Sequence, residues 1–293
     1  MINMHSFKRV SRELLRVLAL LVFVVPVSGQ GAAIEPCQAA PTPAKSGGPQ
    51  KAGEHASQLE VNANVPADKA VEKMLAPYSE KVSELSKVIG RLEGDLNKTG
   101  VGGGSLGNFV TNGMKAQAQA KLGKPVTLAI MNIGGLRKNV ITAGELRASD
   151  IFELLPFENA LVTLDVTGAQ LAKILEVVTK DAQAGARIQF KWNDHNRAEF
   201  ISGKLIDTNG KEQEIEANKI YTIVTIDYLL RVGGGAYAIL QEAKNRAPLN
   251  ITLRDSIMNY VKNETAAGRK IRSNIDDRFV QIGPGPKTAV ENP

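Results

Sequence analysis

Three apolar runs set the terms for this chain: "VTLAIM" (126–131), "ALVTLDVT" (160–167) and "KIYTIVTI" (219–226). Each is strand-length, too short for a core helix and rich in β-branched residues, so each reads as a buried strand. Segments with helical spacing lie between and around them. "TGAQLAKILEVVTK" starts at Thr167 and places Leu171, Ile174, Leu175 and Val178 on one face. "LGNFVTNGMKAQAQAKLG" is stopped by Gly123 and Pro125, with Ser105 as its expected cap. "SDIFELL" reads as a short capped helix and "TLRDSIMNYVKNE" as a closing one. "RIQFKW" alternates as a half-buried strand, and "GKLIDTNGKEQEIE" has the form of a hairpin over Asn209 and Gly210. Strands and helices interspersed in this way predict an α/β (α+β mixed) fold, a layered domain with a mixed sheet flanked by helices.

Both ends differ from this body. Residues 1–29 combine a basic start (Lys8, Arg9, Arg12, Arg16), the apolar run "VLALLVFVVPV" and small residues after it. This is the pattern of a secretory signal peptide, and the run is short for a membrane span. The expectation is a secreted or periplasmic protein with no stable membrane span once the signal is removed. Residues 30–60 are rich in Ala, Pro, Gly and Lys with few large apolar side chains, which predicts a disordered tether. A domain is expected over 61–283, with a leading helix over 66–96 ("PADKAVEKMLAPYSEKVSELSKVIGRLEGDL") and a body over 105–283, followed by a flexible tail at 284–293. The signal accounts for +3 of the formal +6 charge, so the remainder is too weakly basic to point to nucleic acid.

The residue inventory excludes several chemistries. Of three histidines, His5 lies in the signal and His55 in the tether, leaving His195. No paired-histidine motif and no cysteine cluster exists, since Cys37 is the only cysteine, so a di-metal hydrolytic centre cannot be assembled. The glycine-rich segments lack a GK[ST] ending, and no GxSxG elbow is present. No catalytic residue is assigned.

The strand "VTLAIM" ends in "NIGGLR" (132–137). Adjacent glycines permit positive φ or the close approach of another group, and Asn132 and Arg137 supply polar groups around that bend. A ligand-facing loop and an ordinary tight turn with a solvated arginine are both consistent with these residues.

Four stretches read together add more: "SLGNFVTNGM" (105–114), "MNIGGLRKNVITAGELRASDIFELLPFEN" (131–159), "LVTLDVTGAQLAKILE" (161–176) and "YTIVTIDYLLRVGGGAY" (221–237). In order and spacing they resemble the C-terminal domain of the 5′-nucleotidase family, from about Pro66 to Gln281. The resemblance implies a domain that recognises the nucleoside part of nucleotides in nucleotide catabolism. The family's divalent metals would reside in a metallophosphoesterase half absent here, so this chain would carry no cofactor and would act with a separate metallophosphoesterase chain. "NIGGLR" matches a loop whose Asn and Arg face the nucleotide, giving Asn132, Gly134, Gly135 and Arg137. "LPFEN" gives Phe157 for base stacking and Asn159 beside it, with Pro156 restricting Leu155 to extended backbone. Tyr228 is nearest the second stacking position, with one extra residue before the glycines. The closing motif gives Gly233, Gly234, Gly235 and Tyr237, with Gly235 standing where the family has a ribose-binding aspartate.

The family's arginine and acidic residue before LGN are also missing, in "VGGGS". The backbone N–H groups of residues 102–105 offer an anion cradle or a plain flexible loop. The expected function is noncatalytic substrate recognition. A standalone nucleoside or nucleotide binder, a degenerate interaction domain and an autonomous phosphatase are the alternatives.

Overall fold

The computed structural model describes residues 65–207, 209–232 and 237–287. The readings for the signal, the tether, Cys37, His55, residues 233–236 and the end of the tail lie outside the described residues. From Val65 the chain runs through α1 (Lys69–Leu85), β1 (Val88–Leu92), β2 (Leu96–Asn97), α2 (Gly104–Leu122), β3 (Leu128–Met131), β4 (Val140–Ile141), β5 (Gly144–Arg147) and α3 (Ala148–Leu154). Next come β6 (Ala160–Thr167), α4 (Gly168–Val177), β7 (Ala182–Ala184), β8 (Ala186–Trp192), β9 (Ala198–Ile206) and β10 (Glu212–Gln213). The last elements are β11 (Ile220–Ile226), α5 (Asp227–Arg231), α6 (Ala238–Gln241), β12 (Lys244–Thr252), α7 (Leu253–Ala266) and β13 (Phe279–Gln281).

The three apolar runs form the centre of a five-stranded sheet ordered β12-β6-β11-β3-β7. β11 pairs parallel with β3 and antiparallel with β6, which makes the sheet mixed. All four residues of β3 are buried, as are Leu161, Leu164, Ile223, Val224 and Ile226 of its neighbours. A second sheet, β10-β9-β8-β13, carries the hairpin at Asn209 and Gly210. α2 and α7 pack on each other, α2 also lies against β3 and β7, and α4 packs against β9. One continuous apolar core links these layers.

The helix expected over 66–96 stops at Leu85, and the chain continues as a strand. The three-and-four spacing of Val82, Leu85, Val88, Ile89 and Leu92 runs on across the boundary, but only Ile89 and Leu92 are buried. Burial there belongs to β1, which pairs with β5 and packs on α7. The face of α1 bearing Val71, Met74, Leu75, Tyr78 and Val82 is exposed. Ser105 is not the cap of α2. Gly103, at φ +76°, holds that position, while the Ser105 hydroxyl accepts the Asn97 amide at 2.9 Å. Thr167 and Thr252 do cap α4 and α7, accepting from the Gln170 and Asp255 amides.

Arg278 ties three elements together. It donates to the Gln183 carbonyl at 2.8 Å, to Thr111 Oγ1 at 3.3 Å, to Asn112 Oδ1 at 3.1 Å and to both oxygens of Asp276 at 2.6 Å. Burial pushes the Asp276 carboxyl up, but the hydrogen bonds and charge of Arg278 outweigh it and hold the pKa below the ordinary 3.8. A depressed carboxylate adds stability above its unfolded pKa and loses it as pH falls through the folded value. Asp276→Asn is therefore expected to cost up to about 1 kcal/mol at neutral pH, because the carboxylate is partly open to water. Urea unfolding of both proteins checks this: the difference should shrink below about pH 4.

Candidate functional site

Three neighbouring strands deliver their connections to one edge of the sheet. β3 and β11 run parallel, so the turn leaving Met131 and the helix leaving Ile226 emerge together. β6 is antiparallel to β11, so the segment leading into Ala160 arrives at the same edge. A hollow of about 560 Å³ lies there, lined by Asn132, Gly134, Gly135, Arg137, Phe157, Glu158, Asn159, Tyr228 and Arg231.

The wall from β3 is a single 3-10 turn over Ile133–Gly135, with Asn132 extended before it. Neither glycine has positive φ. Gly135 is required by close approach instead: a Cβ there would sit 2.7 Å from Met131 Cε. The Leu154 carbonyl accepts the Arg137 amide at 2.9 Å, and the Arg137 side chain turns back toward the Gly134 carbonyl at 3.5 Å. Asn132 Oδ1 is buried and has no hydrogen-bond donor among the described residues.

The wall preceding β6 rests on Arg254 of α7, itself only 8% exposed. Its guanidinium lies 4.2 Å from the Phe152 ring centroid, donates to the Leu155 and Pro156 carbonyls at 3.4 Å and pairs with Glu158. This support from below leaves the Phe157 ring 48% exposed, with the Arg137 guanidinium carbon 5.9 Å from its centroid. Asn159 is buried, its carbonyl accepting the Leu253 amide at 2.7 Å. From α5, Tyr228 is 40% exposed, and Arg231 lies 3.6 Å from the Asp227 carboxylate. Asp227 also accepts the Ala160 amide at 3.0 Å, which joins the β11 and β6 connections.

Of the residues singled out in the sequence, Asn132, Gly134, Gly135, Arg137, Phe157, Asn159 and Tyr228 share this hollow. Tyr237 does not line it; its ring is half-buried and its hydroxyl donates to Asp181. Gly233, Gly234 and Gly235 lie outside the described residues. Glu158 and Arg231 were not anticipated. Glu158 is the middle residue of "PFEN", and Arg231 lies one helical turn beyond Asp227, the local signal that both ends of α5 face the same edge.

The glycines at 102–104 form neither an open cradle nor a loose loop. Gly102 is buried at φ +74°, and a Cβ there would stand 2.1 Å from the Phe279 ring. Among the described residues no group of three or more His, Cys, Asp or Glu side chains gathers that could hold a metal ion.

Residues 85–242 match the family model described as 5′-nucleotidase, C-terminal domain. The chain belongs to the 5′-nucleotidase C-terminal domain family. A 5′-nucleotidase of Vibrio vulnificus is 33% identical over 185 residues, covering 60% of this chain and 31% of that protein. The trifunctional nucleotide phosphoesterase protein YfkN of Bacillus subtilis is 25% identical over 187 residues, covering 61% of this chain and 12% of that protein. The chain thus spans less than a third of the length of these relatives. In fold it is similar to a 5′-nucleotidase precursor from Thermus thermophilus, with a TM-score of 0.60 at 22% identity, covering 73% of this chain and 43% of that one. Among the described residues of this 5′-nucleotidase C-terminal domain no helix is long and apolar enough to cross a membrane.

Proposed function

We propose that the hollow binds the nucleoside part of a nucleotide and that its two arginines favour a phosphorylated form. The observation that carries this reading is the exposed Phe157 ring beside the Arg137 guanidinium, with Tyr228 lining the same 560 Å³ space. That volume falls within the range of small-ligand clefts, about 300–1,000 Å³. Aromatic faces stack on any base, and a guanidinium fork suits a phosphate.

Calorimetry with AMP, adenosine and UDP-glucose tests the reading. AMP is expected to bind more tightly than adenosine. Arg137→Ala is expected to weaken AMP by about 1.5–3 kcal/mol and adenosine by less, because a charged hydrogen bond is lost only with the phosphate. Equal losses for both would remove Arg137 from the phosphate.

Hydrolysis itself is proposed to be supplied by a separately encoded metallophosphoesterase, with the divalent metals in that chain. The exposed apolar face of α1 supports the reading, as does a cleft of about 850 Å³ whose lining includes Tyr78, Val82, Leu85, Phe152 and Met258. Export through cleavage after about residue 29 places the protein outside the cytoplasm in this scheme, and the basic start and apolar run support it. Mixing the purified chains tests the partnership: it is overturned if no complex forms and AMP hydrolysis is unaltered. A second reading, protein interaction without a ligand, is favoured by Gly235 in place of an acidic residue. Absence of any calorimetric response to the three probes would support that reading instead.

A further inference from the structure

β3 and β7 pair antiparallel with Met131 opposite Ala182, so Asp181, the residue before β7, comes to lie beside the turn leaving β3. Its side chain is among the most deeply buried polar groups, with the residue only 2% exposed. One carboxylate oxygen accepts the Tyr237 hydroxyl at 2.6 Å, and the other accepts the Ile133 amide at 3.4 Å. Ile133 opens the 3-10 turn of the hollow wall, and Tyr237 is the residue before α6. Two segments far apart in sequence therefore meet on a single buried carboxylate.

This arrangement is unfavourable on its own terms. Burial pushes the Asp181 carboxyl up despite the two donors, and burial together with the Asp181 contact pushes the Tyr237 hydroxyl up as well. A buried ionised group costs stability unless it is fully compensated, and a neutral group of the same size would serve a wall whose task was packing alone. Asp181 does not itself line the hollow, whereas the turn it grips contributes Gly134 and Gly135, with Asn132 and Arg137 on either side.

We propose that Asp181 is a positioning residue: it fixes the wall from Asn132 to Arg137 by joining the Ile133 amide to the Tyr237 hydroxyl, and so sets the affinity of a site it does not touch. The affinity part rests on the nucleotide-binding reading given above; the tie itself does not.

The test uses the full chain with AMP as the probe, and the variants Asp181→Asn, Tyr237→Phe and their double. Three quantities are measured: AMP affinity by calorimetry, the thermal midpoint, and the amide resonances of Ile133, Gly134 and Gly135 without AMP. Asp181→Asn keeps the shape but removes the charge. It is expected to leave the midpoint unchanged or raised, to shift those amide resonances, and to weaken AMP about tenfold, as loss of a charge-assisted contact in a preorganised wall would do. Tyr237→Phe is expected to move the same amides although Tyr237 is outside the hollow, and the double variant to bind AMP no worse than Asp181→Asn alone.

A purely structural role would lower midpoint and affinity together, and that result would overturn the proposal. Unmoved Ile133–Gly135 amides, or full AMP affinity in Asp181→Asn, would overturn it as well. If Asp181→Asn fails to fold, Tyr237→Phe decides on the same amides and the same affinity. If the wild-type chain does not bind AMP, the nucleotide reading fails, and the amide shifts still judge the tie.

Discussion

Replacing Phe157 and Tyr228 together by alanine is expected to weaken AMP binding by about 2–6 kcal/mol, since each stacking ring is worth about 1–3 kcal/mol. At the middle of that range the loss is about a thousandfold. Stability should hardly change, because the rings are 48% and 40% exposed and contribute little to the core. Calorimetry with AMP and thermal unfolding of the same double variant separate the two effects. Affinity that survives removal of both rings would mean that the base is not gripped there. Single variants add a further check: if the rings hold opposite faces of one base, losing either should already cost more than tenfold near the middle of that range.

The second large effect concerns stability. Gly107→Ala is expected to destabilise the fold by about 3 kcal/mol or more, at the upper end of what overpacking costs. A Cβ at Gly107 would lie 2.0 Å from the Gly102 carbonyl oxygen, and that atom belongs to backbone already pressed against Phe279. Neither side can yield without moving α2 or the 101–103 turn. For a chain of this size such a loss lowers the thermal midpoint by about 6–12 °C. Gly134→Ala is the contrast: its added Cβ would find Asn132 Nδ2 at 3.4 Å and nothing nearer, so the midpoint should stay close to that of the wild type. A tolerated Gly107→Ala would mean that the close approach at the start of α2 is not as described.

The parts of the fold that could be read in advance are those where periodicity and burial agree. β3 is buried throughout and β6 and β11 over most of their length, and α4 and α7 begin at threonines that cap them. β12 is not legible in the sequence because "KNRAPLNIT" is largely polar and contains Pro248. It pairs only with β6, at the margin of the sheet, where a proline and unpaired backbone are tolerated. β1 is hidden in the sequence because Val88, Ile89 and Leu92 continue the helical spacing of α1 by coincidence.

At the hollow, periodicity could say nothing about which loops meet. The membership of Asn132, Arg137, Phe157 and Tyr228 was legible only through resemblance, which carries tertiary information that local pattern lacks. Asp181 left no sequence signal at all. Its two partners lie 48 and 56 residues away, and a lone aspartate before a short strand has the appearance of an ordinary turn.

The three segments around the hollow come from different strands, and each turns some side chains outward while anchoring others, such as Leu136, Asn159 and Leu229, in the interior beneath. Such an arrangement separates the inheritance of shape from the inheritance of appetite. Exchanging only the outward side chains at Arg137, Phe157, Tyr228 and Arg231 can redirect this scaffold toward new small molecules while the anchored residues hold the sheet unchanged, and a lineage of such proteins is free to drift in diet long before it drifts in architecture.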